Sequence, residues 1–323
     1  MKKSFFISLS TINLLTPMFI ISCKHTEKDL KNIEEEQNKN NFSNSINEIN
    51  FNLDNYIYDD SNKYYEELNG LKGDALFTAL YNLQRKHISG IGNYGDLYKI
   101  YETAFIDKYF EKNGTILDIY SEVENGKDPY EYPVGYYDGM GSKGKLKTGK
   151  KEGTVYNREH MIPQSKFNKV NPTRNDAHFV WPSDKWVNEK RGNLPHFNVG
   201  QDGKLTLNGT KINKKYAEPI NLFKGDTARA YFYFQATHKN ANWPEVFKKT
   251  YPYFTDKFLK GYIEWSILDK VDIIEIERNN EIAKAQKGLR NPFIDYPDLI
   301  SLIWGNSEKT FKNKGILIGI KNA

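Results

Sequence analysis

Apolar residues return at helical intervals in several separate stretches of this 323-residue chain. In 74–86 the positions Leu76, Phe77, Leu80, Tyr81 and Leu83 line one face, which predicts an amphipathic helix. Similar spacing predicts helices within 94–110, over 226–238 with a strongly aromatic face, over 255–270 and over 279–287. Pro297 and Asp298 cap a last short helix that ends near Trp304. Alternation of apolar and polar residues marks 115–121 as a strand, and two further strands are expected at 154–162 and 177–181, joined by a polar loop containing Pro172. Pro182-Ser183-Asp184 then gives a turn and an N-cap for a helix that continues KWVNEKRGN, and 203–214 resembles a hairpin. No internal repeat and no linker divides 54–306, so this stretch is expected to be one α+β domain. Residues 23–53 lack a sustained period and read as a flexible stalk. Residues 307–323 read as a basic tail, in which the apolar patch GILIGI receives no assignment.

Composition changes this picture only in part. The chain is 38% hydrophobic, 14% aromatic and 27% charged, which is the profile of a globular protein with a real core. Its net charge of +5 conceals an acidic stalk: residues 24–60 carry −5 and residues 61–323 carry +8. A basic body suits a polyanionic partner. The single cysteine excludes an intrachain disulfide. It closes a leader that begins Met1-Lys2-Lys3, runs through a short apolar stretch and ends Ile20-Ile21-Ser22-Cys23, as in a bacterial lipobox. Residues 1–22 are therefore expected to be a lipoprotein signal peptide and Cys23 the lipidated N-terminus. An uncleaved anchor with an incidental cysteine is the plainer alternative. Both put the body outside the cytoplasm, attached to a bacterial membrane at the cell surface or facing the periplasm.

The chemistry concentrates in YNREHMIPQSKF at 156–167 and the helix after Pro182. If the strands at 154–162 and 177–181 pair, the helix crosses them, and Glu159 and Asn188 offer two oxygen ligands from different elements. Two protein oxygens completed by water suit Mg2+. Imidazole is a poor ligand for that ion, so His160 is better cast as a general base.

The runs YNREHMIP, DAHFVWPSDKWVNEKRGN, GDTARAYFYF and IERNNEIAKAQKGLRNPFIDYPDL, together with GLKGDALFTAL at 70–80, resemble the bacterial endonuclease I family in sequence and order. The resemblance spans essentially the whole domain. It implies a ββα-metal (His-Me) finger packed on helices, with Glu159 as metal ligand, His160 as base and Asn188 as second ligand. Asn193 then fixes the helix end, and Asp176 and His178 orient His160 or the metal waters. The family holds the cleaved phosphate with an arginine from the inter-strand loop. Here that loop is short and its one arginine is Arg174, so Arg158, Arg174, Lys190 and Arg191 are all candidates for phosphate contact.

The implied activity is nonspecific endonucleolytic hydrolysis of DNA, and of RNA as a further substrate, by a monomer that uses one Mg2+, with Mn2+ or Ca2+ as substitutes, and leaves 5′-phosphate ends. The competing function is a non-catalytic nucleic-acid-binding surface lipoprotein on a nuclease scaffold. Lys143, Lys145, Lys147, Lys150 and Lys151 form a loop that either touches DNA or is merely solvated. His196, His238, Arg229 and Arg278 are expected to be structural, and the aromatics at 230–234 to be core.

Overall fold

The computed structural model describes residues 42, 44–46, 49, 51, 53–124, 126–139, 150–306 and 308–321. The chain divides after Phe42, and the architecture below belongs to the unit that starts at Ser43. The leader, Cys23 and most of the expected stalk lie outside the described residues, as do Lys143, Lys145 and Lys147. Ile46 and Phe51, inside the expected stalk, are buried. The folded unit therefore starts earlier than residue 54.

Strand β1 (Tyr56–Asp59) is followed by helices α1 (Gly73–His87) and α2 (Asp96–Ala104). In α1 the expected stripe is real: Leu76, Phe77, Leu80 and Leu83 are buried, while Arg85, Lys86 and His87 close the helix where a positive charge suits its dipole. Strands β2 (Tyr156–His160) and β3 (Val180–Asp184) lead into α3 (Lys185–Arg191). Three two-residue strands follow, β4 (Lys204–Leu205), β5 (Lys211–Ile212) and β6 (Ala217–Glu218), paired in that order. The chain then runs through α4 (Lys224–Thr237), α5 (Asp256–Leu268), α6 (Ile273–Ala285), α7 (Pro292–Asp295), α8 (Leu299–Trp304) and β7 (Ile316–Ile320). This is an α+β fold.

Helix α4 is the centre, with every residue buried and α1, α5 and α7 packed around it. A helix buried on all sides can keep polar groups only if they are paired. Arg229 donates to Glu275 and to the Asp269 carbonyl, and Asp226 accepts from Arg278. Both arginines thus have structural partners, and the Arg278 guanidinium also lies 4.8 Å from the Trp181 ring of β3.

Three expectations need correction. The segment 115–121 makes only an isolated bridge at Ile116, to Ile106 and Tyr132. Asp118 accepts from the Tyr120 N–H two residues ahead, a local turn that diverts the backbone from a ladder. The second finger strand starts at Val180 rather than 177, because the Phe179 and Val180 N–H groups are turned back onto the Asp176 carbonyl. Pro182, expected in a turn, lies inside β3 opposite Arg158. A two-stranded sheet has only edge strands, so its missing N–H can face outward.

The tail is not separate. β7 pairs antiparallel with β1, from Tyr56 opposite Ile320 to Asp59 opposite Ile316. Leu317 joins a buried cluster with Val271, Ile276 and Ile294. The unassigned GILIGI patch is the strand that completes this sheet.

Candidate active site

The β2–β3 pairing sets Glu159 opposite Trp181 and His160 opposite Val180. α3 begins at the next residue after β3, capped by Asp184, whose Oδ1 accepts from the Val187 N–H at 2.8 Å. Its other carboxylate oxygen accepts from the Gly153 N–H at 2.8 Å and from the Tyr132 hydroxyl. One side chain thus starts the helix and fixes the approach to β2.

Strand alternation puts Glu159 and His160 on opposite faces of β2. On one face of β2, Asn188 of α3 donates through Nδ2 to Asn157 Oδ1 at 2.8 Å and to the Arg158 carbonyl at 3.3 Å. A carbonyl can only accept, so the amide orientation is determined, and no donor among the described residues reaches Asn188 Oδ1. Glu159 is on this side and is 1% exposed. Its Oε1 accepts from Arg191 Nη1 at 3.1 Å and from the Tyr120 hydroxyl at 3.0 Å. Oε2 has no donor among the described residues. Burial pushes the Glu159 carboxyl up to about 7, and Arg191 and Tyr120 offset only part of that.

Behind Glu159 is a fully buried brace. His196 Nε2 lies 2.9 Å from the Tyr120 hydroxyl, which passes its own proton toward Glu159. Tyr231 accepts from the His196 backbone N–H at 3.1 Å. Arg191 also donates to the His160 carbonyl at 2.8 Å and the Met161 carbonyl at 2.5 Å, tying the end of β2 to α3.

The opposite face carries the imidazole. His160 Nε2 lies 3.0 Å from the Arg174 carbonyl oxygen, so Nε2 bears the proton and Nδ1 the lone pair. Burial pushes the His160 imidazole down to about 3, outweighing the help that carbonyl gives the charged form. The ring is thus a neutral base at ordinary pH. Beside it, Arg158 and Arg174 lie on Tyr94, their guanidinium carbons 3.7 and 3.8 Å from the ring centroid. Arg158 also donates to the Tyr94 carbonyl, and Arg174 to Gln164 Oε1 at 2.8 Å. Both are half-buried. The pair adds two positive charges on the face that carries His160.

Two hard oxygens, Glu159 Oε2 and Asn188 Oδ1, come from elements already bonded to each other, and both lack donors among the described residues. That donor set fits a hard divalent cation completed by water. His160, on the other face, is free to act on a proton.

The Endonuclease I family profile matches residues 72–298, more than two thirds of the chain, and that span includes the whole finger and its braces. The chain belongs to the Endonuclease I family. It is also similar to two curated proteins named extracellular ribonuclease. The protein of Bacillus amyloliquefaciens is 28% identical over 254 residues, covering 76% of this chain and 79% of that protein. The protein of Bacillus subtilis (strain 168) is 28% identical over 256 residues, covering 76% and 80% respectively. Membership makes this chain a hydrolytic nuclease.

The finger of this Endonuclease I member departs from the sequence expectations at several residues. Arg191 is 1% exposed and spent on Glu159 and two carbonyls, so it points inward and braces Glu159. Lys190 is exposed, its ammonium 5.0 Å from the Trp186 ring. Asn193, also exposed, accepts from Ser165 Oγ at 3.1 Å, which ties the helix end to the residues after β2. Asp176 and His178 do not touch His160. Asp176 accepts from Tyr233 at 2.6 Å, His238 Nε2 at 2.7 Å and Gln286 at 3.3 Å, while His178 Nε2 donates to the Leu289 carbonyl at 2.9 Å. Their effect on the base is indirect. His238 Nδ1 also meets Thr173 Oγ1 at 3.2 Å, beside the Arg174 carbonyl that orients the imidazole.

Sequence reasoning missed Tyr94 and Tyr120, placed Tyr231 in the core, where it lies, and set His196 aside. Tyr120 is 39 residues from Glu159, and nothing local marks it.

The Asp176 network predicts a pH effect. Burial alone would raise this carboxyl, but the bond from His238, with the neighbouring His178 and Tyr233, holds it below the usual range. A depressed folded value adds stability above the unfolded value of ~3.9 and loses it as pH falls through the folded value. Asp176→Asn is expected to cost about 3 kcal/mol at pH 7, the cost of breaking a buried charged network. Urea unfolding at pH 7 and pH 3 checks this: the gap to wild type should shrink at pH 3, and an equal gap at both refutes the assignment.

Proposed function

We propose that this chain is a metal-dependent endonuclease that cleaves phosphodiester bonds in DNA and RNA with little sequence preference, leaving 5′-phosphates. The observation that carries this reading is His160, neutral and fixed through Nε2–H on the Arg174 carbonyl, with the Glu159 and Asn188 oxygens on the same short strand and its helix. Glu159 Oε2 and Asn188 Oδ1 would hold Mg2+. When bound, that ion supplies positive charge against the negative charge that builds on the reacting phosphate and departing O3′.

The protein's own residues do the rest. Nδ1 of His160 takes a proton from the attacking water. Arg158 and Arg174, stacked on Tyr94, offer charge to a non-bridging phosphate oxygen. Arg191 and Tyr120 hold Glu159 so that it need not reorganise during the reaction. RNA stands beside DNA because both Bacillus relatives are named ribonucleases.

Supercoiled plasmid and a structureless RNA, each incubated with the purified protein in Mg2+ or EDTA, test the proposal. Both substrates should be cut in Mg2+ and neither in EDTA. Intact substrates in Mg2+, or equal cutting in EDTA, reject it. We also propose that Cys23 anchors the protein by lipidation. Metabolic labelling with a palmitate analogue should mark wild type and not Cys23→Ala, and an unlabelled wild type rejects the anchor.

A further inference from the structure

A second group of carboxylates occurs outside the finger. Glu111, Glu122 and Asp128 bring one oxygen each to within 4.8 Å of one another. Glu111 and Asp128 are half-buried and Glu122 is 1% exposed. Among the described residues, no lysine, arginine or histidine forms an ion pair with any of the three. Within the group, Glu122 lies in hydrogen-bonding reach of Glu111 and Asp128. Backbone donors also reach it, the Val123 N–H to Asp128 Oδ1 at 3.0 Å and the Asp128 N–H to Glu111 Oε1 at 3.2 Å. Asp107 adds negative charge nearby, and its own oxygens accept from the N–H groups of Tyr109, Phe110 and Lys112.

A separate observation points to a ligand. Glu122 Oε1 is buried and has no hydrogen-bond partner among the described residues. Burying a carboxylate oxygen without donor or counterion is unfavourable, and such an atom in a folded protein calls for an explanation.

We propose that Glu111, Glu122 and Asp128 form a structural Ca2+ site, distinct from the Glu159–Asn188 pair and independent of the nuclease reading. The ligands are all oxygen, which selects a hard cation. Mg2+ keeps most of its waters and is usually held by one or two carboxylates, whereas Ca2+ takes several protein oxygens in a looser shell. Three carboxylate oxygens within 4.8 Å of one another therefore suit Ca2+. The site joins the loop after α2 to the segment that carries Tyr120. That segment is fixed from the other side by Asn208, which donates to the carbonyls of Ile119 and Glu122. A bound ion would stiffen the strip of chain from which Tyr120 reaches Glu159.

The test uses the whole protein carrying Glu159→Gln, so that the finger no longer supplies a carboxylate. Calorimetric titration with CaCl2 should show one ion bound. Ca2+ at about one hundred times its dissociation constant should raise the melting temperature by about 5 °C or more over EDTA, with a smaller rise in Mg2+. Adding Glu122→Gln or Asp128→Asn should abolish that rise without lowering the melting temperature in EDTA, because each removes repulsion. No Ca2+ binding by the Glu159→Gln protein overturns the proposal. So does an undiminished rise in both carboxylate variants, or an equal rise in Mg2+. The titration of the Glu159→Gln protein decides even if both further variants fail to fold.

Discussion

His160→Ala should cut plasmid nicking by about 10²–10⁴-fold while leaving the protein folded, the range expected when a general base is lost. The imidazole is replaceable in structural terms. Its ring neighbours Tyr94, Phe167 and Phe179 lie 6.0 to 6.4 Å away by centroid, and the bond from Arg191 goes to the His160 backbone carbonyl, which alanine retains. The Arg174 carbonyl would lose a donor, at a cost of about 1–3 kcal/mol. Nicking rates measured beside a urea melt separate chemistry from stability. A folded His160→Ala protein that nicks within about threefold of wild type would remove His160 from the base role.

The second large effect concerns stability. Arg191→Met should lower it by about 3–5 kcal/mol near pH 8, because it leaves Glu159 buried without a counterion. Burial already holds the Glu159 carboxyl near 7, and removing Arg191 takes away the principal force against burial. A raised folded value means that the charged state costs stability as pH rises toward it. The loss should therefore be smaller at pH 5.5, where Glu159 takes up a proton and needs no partner. Adding Glu159→Gln should recover much of the stability. Denaturant midpoints of the three proteins at both pH values provide the check, and a pH-independent loss would mean that Arg191 acts by packing alone.

Much of this finger was legible because its signals are local. Asp184 caps the helix in the sequence-expected place, and Glu159, His160 and Asn188 occupy consecutive pieces of one motif. Arg158, Glu159 and His160 are consecutive, and the strand keeps its alternation to the last residue, with Glu159 toward α3 and His160 toward Tyr94. What was hidden is nonlocal. Arg191 looked like a surface cation because a helix terminus is where such cations often lie, and only the β2 carbonyls reveal that it points inward. Asp176 and His178 sat close to the base in sequence, yet their partners come from α4 and the residues after α6. The start of α6 was missed because the Asp272 cap, bonded to the Glu275 N–H, precedes the apolar period that signals the helix.

The pairing of β1 with β7 has a consequence in time. Tyr56 is made early, and its partner Ile320 follows only after all the helices of this unit. Closing so long a loop is entropically expensive until the intervening chain is ordered. On the ribosome, β1 must therefore wait as an unsatisfied edge while α1 through α8 are synthesised. The finger, at 156–191, is complete in sequence long before this sheet can form.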